Sequence, residues 1–301
     1  MIRHSDILNA SRSAGFDLCG VARPRPLHTN AQHLQQWIEQ GNCGGLDYMC
    51  RNADKRSDAT LLVEGTQSVV VCGVSYKSDI NTHYTPGQQC KIASYACNRD
   101  YHKSIKKMLL QMFSLLKESY PSLEGRAFTD SAPLFEKQYA VDAGLGWIGR
   151  QSLLITPQFG SYVLLGELLL NEACDSYDTP LDVVGCGECH RCVDACPNRA
   201  INDNLTIDAR RCISCLTIEQ AHDGQTPLHG WIFGCDECQM CCPYNLRATH
   251  HTNPSFDPLF NPNDISADEW LTMSEEHFAD HFGSTPLRRS GLQRIQDNIN
   301  K

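Results

Sequence analysis

Ten of the chain's seventeen cysteines lie between Cys186 and Cys242. Cys186, Cys189, Cys192 and Cys196 stand ahead of Pro197 as C-x2-C-x2-C-x3-C-P. Three thiolates two residues apart can wrap three irons of one cubane, while the fourth, one residue late and before a chain-turning proline, reaches a second cluster. Cys212, Cys235, Cys238 and Cys242, with Pro243, complete two groups of four. Cross-over ligation then assigns Cys186, Cys189, Cys192 and Cys242 to one [4Fe-4S] cluster, and Cys196, Cys212, Cys235 and Cys238 to the other. Cys215 and Cys241 are left over. Structural zinc favours separated C-x2-C pairs and calls for neither the third evenly spaced cysteine nor two C-P endings. The expected chemistry is one-electron transfer.

Those ligands need a scaffold, and 301 residues suffice for more than one domain. The first half alternates strand and helix patterns. Phe16 to Ala22 and the β-branched run Ser68 to Tyr76 read as buried strands. Ala31 to Gln40 reads as a helix stopped by Gly41. Tyr101 to Tyr120 is a long amphipathic helix with Ile105, Met108, Leu109, Met112, Leu115 and Leu116 on one stripe. Arg126 to Thr129 is a short strand, after which Ser131 is expected to cap a helix with Pro133 in its first turn. Strands near Leu153 and Val163 are expected to close the domain. The expected organisation is an α/β (α+β) catalytic domain over 1–170, a ferredoxin-like two-cluster module over 171–245, and a helical C-terminal segment over 246–301. Ala267 to Met273, Glu275 to Phe282 and Pro286 to Asn298 are its expected helices.

Composition bounds the setting. A net charge of −9 is not the footprint of a nucleic-acid binder. Lys103, Lys106 and Lys107, and Arg288, Arg289 and Arg294, are local basic groups that read as solvated faces. The N-terminal sequence lacks an apolar leader, and the most apolar run, Tyr162 to Leu170, is too short to span a bilayer and carries Glu167. A soluble cytoplasmic protein is expected, which also disfavours a disulfide framework.

Outside the cysteines, Asp130 is the leading candidate for a general acid. It stands at a strand end before a helix, where a capping role is an equal alternative. An N-terminal position favours the carboxylate, so proton donation requires burial to raise its pKa. His102 is a weaker candidate. Gly144, Gly146 and Gly149 spell G-x-G-x-x-G, but after a helix pattern and not a strand, so a tight turn is the better reading.

Read together, the strings YMCRN, RDYHK, DSAP, AGLGWIG, LLGELL, CGECHRCVDACP, DARRCIS and GCDECQ resemble the epoxyqueuosine reductase family over nearly the whole chain. The resemblance implies a cobalamin-binding α/β domain joined to a two-cluster module, acting on epoxyqueuosine in a tRNA anticodon loop. It implies that Asp130, in D-S-A-P, is the catalytic aspartate. It further implies a cobalamin pocket touched by Arg51, Tyr95, Asp130 and Gln151, Ser152, Leu153 and Leu154, with Ser214 and Asp236 bridging from the clusters. The cobalamin is expected base-off, and D-x-H-x-x-G is only half met by Asp100, His102 and Ile105. Cys215 departs from a tyrosine usual in the family. The chain ends at Lys301 without the helical repeats many members use to grip tRNA, so Lys137, Arg247, Arg288 and Arg289 are the expected tRNA contacts. A soluble electron donor and a monomer are expected. A reductive dehalogenase, a plain ferredoxin and a zinc-stapled RNA-binding module are the rival readings.

Overall fold

A computed structural model describes residues 1–80, 84–219 and 225–301. The first half holds α1 (His4–Ser13), β1 (Leu18–Ala22), α2 (His28–Glu39), α3 (Ala53–Ser57), α4 (Ala59–Leu62), β2 (Ser68–Ser75) and β3 (Lys91–Ile92). Then come α5 (Tyr101–Ser119), β4 (Gly125–Phe128), α6 (Glu136–Asp142), β5 (Trp147–Ile148), β6 (Leu154–Ile155) and β7 (Val163–Leu170). Four strands form one antiparallel sheet in the order β1-β2-β7-β4. The mixed helix–sheet expectation is met, with an antiparallel sheet at its centre.

Every residue of β2 is buried, as its β-branched composition requires of a central strand. One face of the sheet packs Val70, Cys72 and Leu168 against α1 and the apolar stripe of α5. Ile105, Met108, Leu109, Met112 and Leu116 are buried there as the helical spacing predicts, while Leu115 is partly buried. Gly166 permits the approach, since a Cβ there would lie 2.5 Å from the Ile105 Cγ2. The opposite face packs Val69, Val71, Leu165 and Leu169 against Tyr139 and Ala140 of α6.

Two local expectations change. Ser131 caps no helix: α6 starts only at Glu136, with Phe135 at the N-cap position. Asp130 itself takes φ 53°, a left-handed turn that delays the helix. The strand near Leu153 is β6, paired with β5 in a separate hairpin instead of the main sheet. The glycine string builds that hairpin after α6; a Cβ on Gly146 would lie 2.1 Å from the Ile155 carbonyl oxygen.

The cysteine-rich region is built from short helices set beside the thiols: α7 (Arg191–Ala195), α8 (Ile213–Ile218), α9 (Glu237–Met240) and α10 (Pro243–Arg247), with β8 (Trp231–Phe233). Strand β8 pairs in parallel with β3 from the first half. The C-terminal α11 (Ala267–Thr272), α12 (Glu275–Phe282) and α13 (Gly291–Ile299) cover this small sheet. They share one core: Trp270, Phe278, Phe282 and Ile295 pack with Ile92 and Phe233. Ser266 and Glu269 form a capping box on α11, fixing where that helix begins. Among the described residues no helix is long and apolar enough to cross a membrane.

Candidate active site

Asp130 lies just beyond β4, its carboxylate opening onto a cavity. The Tyr101 hydroxyl donates to its Oδ2 at 2.6 Å. His102, one residue on, puts Nε2 3.5 Å from the same oxygen, while its Nδ1 lies 2.7 Å from Asp100 Oδ1. Asp100 caps α5 through the His102 N–H, so the helix start fixes the whole constellation. Tyr101 and His102 stack at 4.1 Å, and Tyr95 meets Tyr101 edge-on at 6.1 Å.

The electrostatics follow from these contacts. Burial pushes the Asp130 carboxyl up, but hydrogen bonds from His102 and Tyr101, with the charges of His102 and Arg289, outweigh it and hold the carboxyl below its ordinary range. His102 is raised, chiefly by its bond to Asp130, against burial and with help from Asp100. At rest Asp130 is therefore a carboxylate facing protonated or proton-bearing neighbours. It acts as an acid only after a proton crosses to it.

The cavity measures about 770 Å³. Tyr48, Tyr95 and Tyr101 give it aromatic walls, Asp130 and Arg289 charged ones, and Cys212, Ser214 and Cys215 a side contributed by the cysteine-rich region. Trp37 joins the lining from α2, where its indole donates to the Ile207 carbonyl at 2.7 Å.

The cysteines sort into two neighbourhoods. Cys192 is pushed up by burial first, then by Cys186 and Cys242. Cys238 is pushed up by burial, then by Cys235, Cys212 and, more weakly, Cys196. Cys241 shares the first neighbourhood, pushed up by burial and then by Cys192, Cys242 and Cys189. The Ala200 N–H donates to Cys196 Sγ at 3.2 Å, the kind of bond that tunes a cluster.

Side chains from the first half hold the thiol loops. Arg150 donates to the Cys189 and Gly187 carbonyls, both at 2.9 Å. Lys77, buried, donates to the Asn245 and Ala248 carbonyls at 2.8 and 2.6 Å. Asp236 is 2% exposed and accepts from the Ser94 N–H and hydroxyl, each at 2.7 Å, and from Gln239. Burial pushes the Asp236 carboxyl up, and the Ser94 bonds oppose it.

The structure thus gathers Asp130, Tyr95, Ser214, Arg288 and Arg289 around one cavity. Asp236 is not among the cavity's lining residues; its carboxylate accepts from Ser94 and Gln239 and so braces the segment that carries Tyr95. Arg51 is exposed on the loop before α3. Gln151 is buried with its Nε2 unpaired, Ser152 and Leu153 are half-buried, and Leu154 is buried. Lys137 is not a surface cation: it is half-buried and donates to the Ser152 carbonyl at 2.7 Å. Arg247 is exposed over the Tyr244 ring, 5.4 Å from its centre. Arg289 pairs with Glu219 at 2.6 Å. Sequence reasoning passed over Tyr101, Tyr48 and Glu136. Tyr101 stood inside the string that held His102, but only the tertiary fold turns its hydroxyl toward Asp130.

Residues 56–131 match the family described as epoxyqueuosine reductase QueG, DUF1730, and residues 185–245 match the 4Fe-4S double cluster binding domain. The epoxyqueuosine reductase of Cyclobacterium marinum is 39% identical over 302 residues, covering 99% of this chain and 96% of the relative. That of Pseudomonas aeruginosa is 37% identical, covering 96% and 81%. The solved epoxyqueuosine reductase of Streptococcus thermophilus superposes with a TM-score of 0.85 at 25% identity, covering 98% of this chain and 79% of that one. A crystal structure of an epoxyqueuosine reductase with an epoxyqueuosine-modified tRNA-Tyr stem loop superposes at 0.86, with the same identity and coverage. The chain belongs to the epoxyqueuosine reductase family.

Proposed function

We propose that this protein reduces epoxyqueuosine to queuosine in the anticodon loop of tRNA, the last step of queuosine synthesis. One observation carries the reading: the Tyr101–Asp130–His102 constellation opens onto the same cavity that Cys212 of the second thiol set lines. A proton-handling aspartate and an electron-supplying wall meet at one place, as a reductive removal of oxygen requires.

The cofactors this reading needs fit the residues present. Cys186, Cys189, Cys192 and Cys242 would hold one [4Fe-4S] cluster, and Cys196, Cys212, Cys235 and Cys238 the other. A base-off cobalamin would be held in the cavity beside Tyr95 and Ser214, while Arg51 and Gln151 to Leu154 are assigned to it from the family motifs alone. His102 is engaged by Asp100 and Asp130, which suits a corrin held without a histidine ligand. The clusters supply single electrons, and the cobalamin supplies strongly reducing cobalt chemistry.

The chain's own residues do the rest. Tyr101 and His102 orient the Asp130 carboxylate and exchange protons with it. Asp130 protonates the departing epoxide oxygen, which turns a poor leaving group into a better one. A single-stranded anticodon loop lets the modified base leave the stack and enter the cavity. Arg288 and Arg289 at the rim, with Arg247 on the cysteine-rich region, offer charge to the RNA backbone. Lys137 is better assigned to holding the Ser152 hairpin.

The proposed units are 1–170 for catalysis, 171–245 for the clusters and 246–301 as a helical cover. We take the protein to be a cytoplasmic monomer served by a soluble electron donor. The test is nucleoside mass spectrometry of epoxyqueuosine-bearing tRNA after anaerobic incubation with reconstituted enzyme and a strong reductant. Conversion that stops when cobalamin or iron is left out supports the assignment. No conversion despite intact clusters and bound cobalamin overturns it.

A further inference from the structure

The two thiol sets differ in where they face. Cys212 of the second set lines the substrate cavity, whereas Cys186, Cys189, Cys192 and Cys242 are not among its lining residues. Electrons bound for the cavity therefore enter at the first set, and a donor must touch the protein near the loops that carry it.

Val184 is 91% exposed and Leu246 63%; apart from Met1 they are the most exposed large apolar side chains among the described residues. Isolated exposed apolar residues are ordinary. These two, however, hang from ligand loops of the same thiol set. Val184 stands two residues before Cys186, and its carbonyl accepts from the Gly187 N–H at 3.4 Å. Leu246 stands one turn after Cys242, its N–H donating to the Cys242 carbonyl at 3.0 Å. The two loops are joined: the Tyr244 hydroxyl donates to the Gly185 carbonyl at 3.1 Å, and Trp147 packs edge-on against Tyr244 at 4.8 Å. Arg150 pins the Val184 loop through the Gly187 and Cys189 carbonyls.

The charges on these segments balance. Arg150, Arg191 and Arg247 are matched by the exposed acids Asp182, Glu188 and Asp194. RNA is held through its phosphates and calls for a basic footprint, which a balanced face centred on a valine and a leucine does not supply. Such a face suits the small contact of a transient electron-transfer encounter, in which tyrosine and arginine are favoured residues. Electron transfer weakens steeply with distance, so a donor has to meet the ligand loops themselves. Resting on the reductase reading, we propose that Val184 and Leu246, on loops joined by Tyr244, form the docking face for a small one-electron carrier protein. Each encounter oxidises the carrier by one electron and reduces the iron held by the first thiol set by one. Two encounters supply the two electrons that, with two protons, convert one epoxide into an alkene and water.

The experiment mixes a reduced carrier, a ferredoxin in one series and a flavodoxin in another, with oxidised, cluster-loaded protein under anaerobic conditions. Stopped-flow absorbance follows oxidation of the carrier and bleaching of the iron–sulfur bands. Wild type should accept electrons from at least one carrier at a rate that saturates with carrier concentration. Val184→Asp and Leu246→Asp should each slow that transfer by about tenfold, and Val184→Leu should keep it. Reduction by dithionite, which needs no docking face, should be the same in all four proteins, as should the thermal midpoint and binding of the tRNA stem loop. Because the charges balance, raising salt from about 50 to 200 mM should change the wild-type rate by less than about threefold. An unaltered carrier rate in either aspartate variant, equal slowing with dithionite, or no saturable transfer from either carrier would each overturn the proposal. Loss of stem-loop binding in Val184→Asp would overturn it in favour of RNA on this face. A wild-type dimer that Val184→Asp disperses would overturn it in favour of a second copy of the chain. Failure of the reductase reading would look different: carriers would still reduce the clusters, and wild type would form no queuosine.

Discussion

Replacing Asp236 tests how the thiol loops are tied to the cavity. In Asp236→Ala the Ser94 N–H and hydroxyl lose the buried acceptor they share, two bonds of 2.7 Å. Hydrogen bonds to a charged group contribute about 1.5–3 kcal/mol each, so roughly 3–6 kcal/mol is lost. Removing a buried carboxylate offsets about 1–2 kcal/mol of this, because burial works against its charged form. The net cost is about 2–4 kcal/mol, or a midpoint lowered by roughly 3–6 °C in a chain this large. Thermal bleaching of the iron–sulfur absorbance, at one fixed scan rate, reads the shift. Because Cys235 and Cys238 flank Asp236, iron loss should accompany the transition. A double-mutant cycle with Ser94→Ala separates this contact from general damage: the coupling should exceed about 1 kcal/mol. Additive effects, or an Asp236→Ala midpoint equal to wild type, would refute the reasoning.

Other perturbations have equally definite outcomes. Lys77→Met leaves the Asn245 and Ala248 carbonyls without their buried donor and should destabilise the protein by about 2–4 kcal/mol, measured by the same bleaching curve. Cys238→Ser should lose about one cluster of iron on chemical analysis, whereas Cys215→Ser should keep both, since Cys215 lies outside the two sets. His102 is raised by Asp130, so Asp130→Asn should lower its imidazole pKa, visible by NMR titration. The sign for stability follows: the His102 contribution is complete below the ordinary histidine pKa and fades as pH rises through the raised value. Asp130, being lowered, contributes above the ordinary aspartate pKa and fades as pH falls through its depressed value. The pair is therefore at its strongest between those two ordinary values, in mildly acidic solution, and Asp130→Asn should flatten the pH dependence of the midpoint there.

What could be read from the chain was whatever is encoded locally. The cysteine spacing carried its own chemistry, because two-residue gaps set which thiols can wrap one cluster. The stripe of α5 follows from its 3.6-residue period, and β2 from a continuous β-branched run that suits a strand buried on both faces. Asp130 was legible as a strand-end residue, but its left-handed turn was not, and that turn moved the helix start from Ser131 to Glu136. The partners of Asp236 and Lys137 were not legible for one reason. Each side chain is committed to a partner that chain position alone does not reveal: Ser94, 142 residues away, and the Ser152 carbonyl across the hairpin turn. The β3–β8 pairing that joins the first half to the cysteine-rich region is likewise a parallel contact across a long stretch of chain, with only short strands to announce it. Glu167 read as one polar interruption in an apolar run, and the structure buries it there at 1% exposure.

The most direct measurement is single-turnover conversion of epoxyqueuosine to queuosine in tRNA, followed by nucleoside mass spectrometry, for wild type and Asp130→Asn carrying equal iron and cobalamin. Wild type should convert its substrate, and Asp130→Asn should be slower by roughly 10²–10⁴-fold while binding the same tRNA equally well. Equal rates in the two proteins would contradict the claim that this cavity, with Asp130 as its acid, is where the epoxide is reduced.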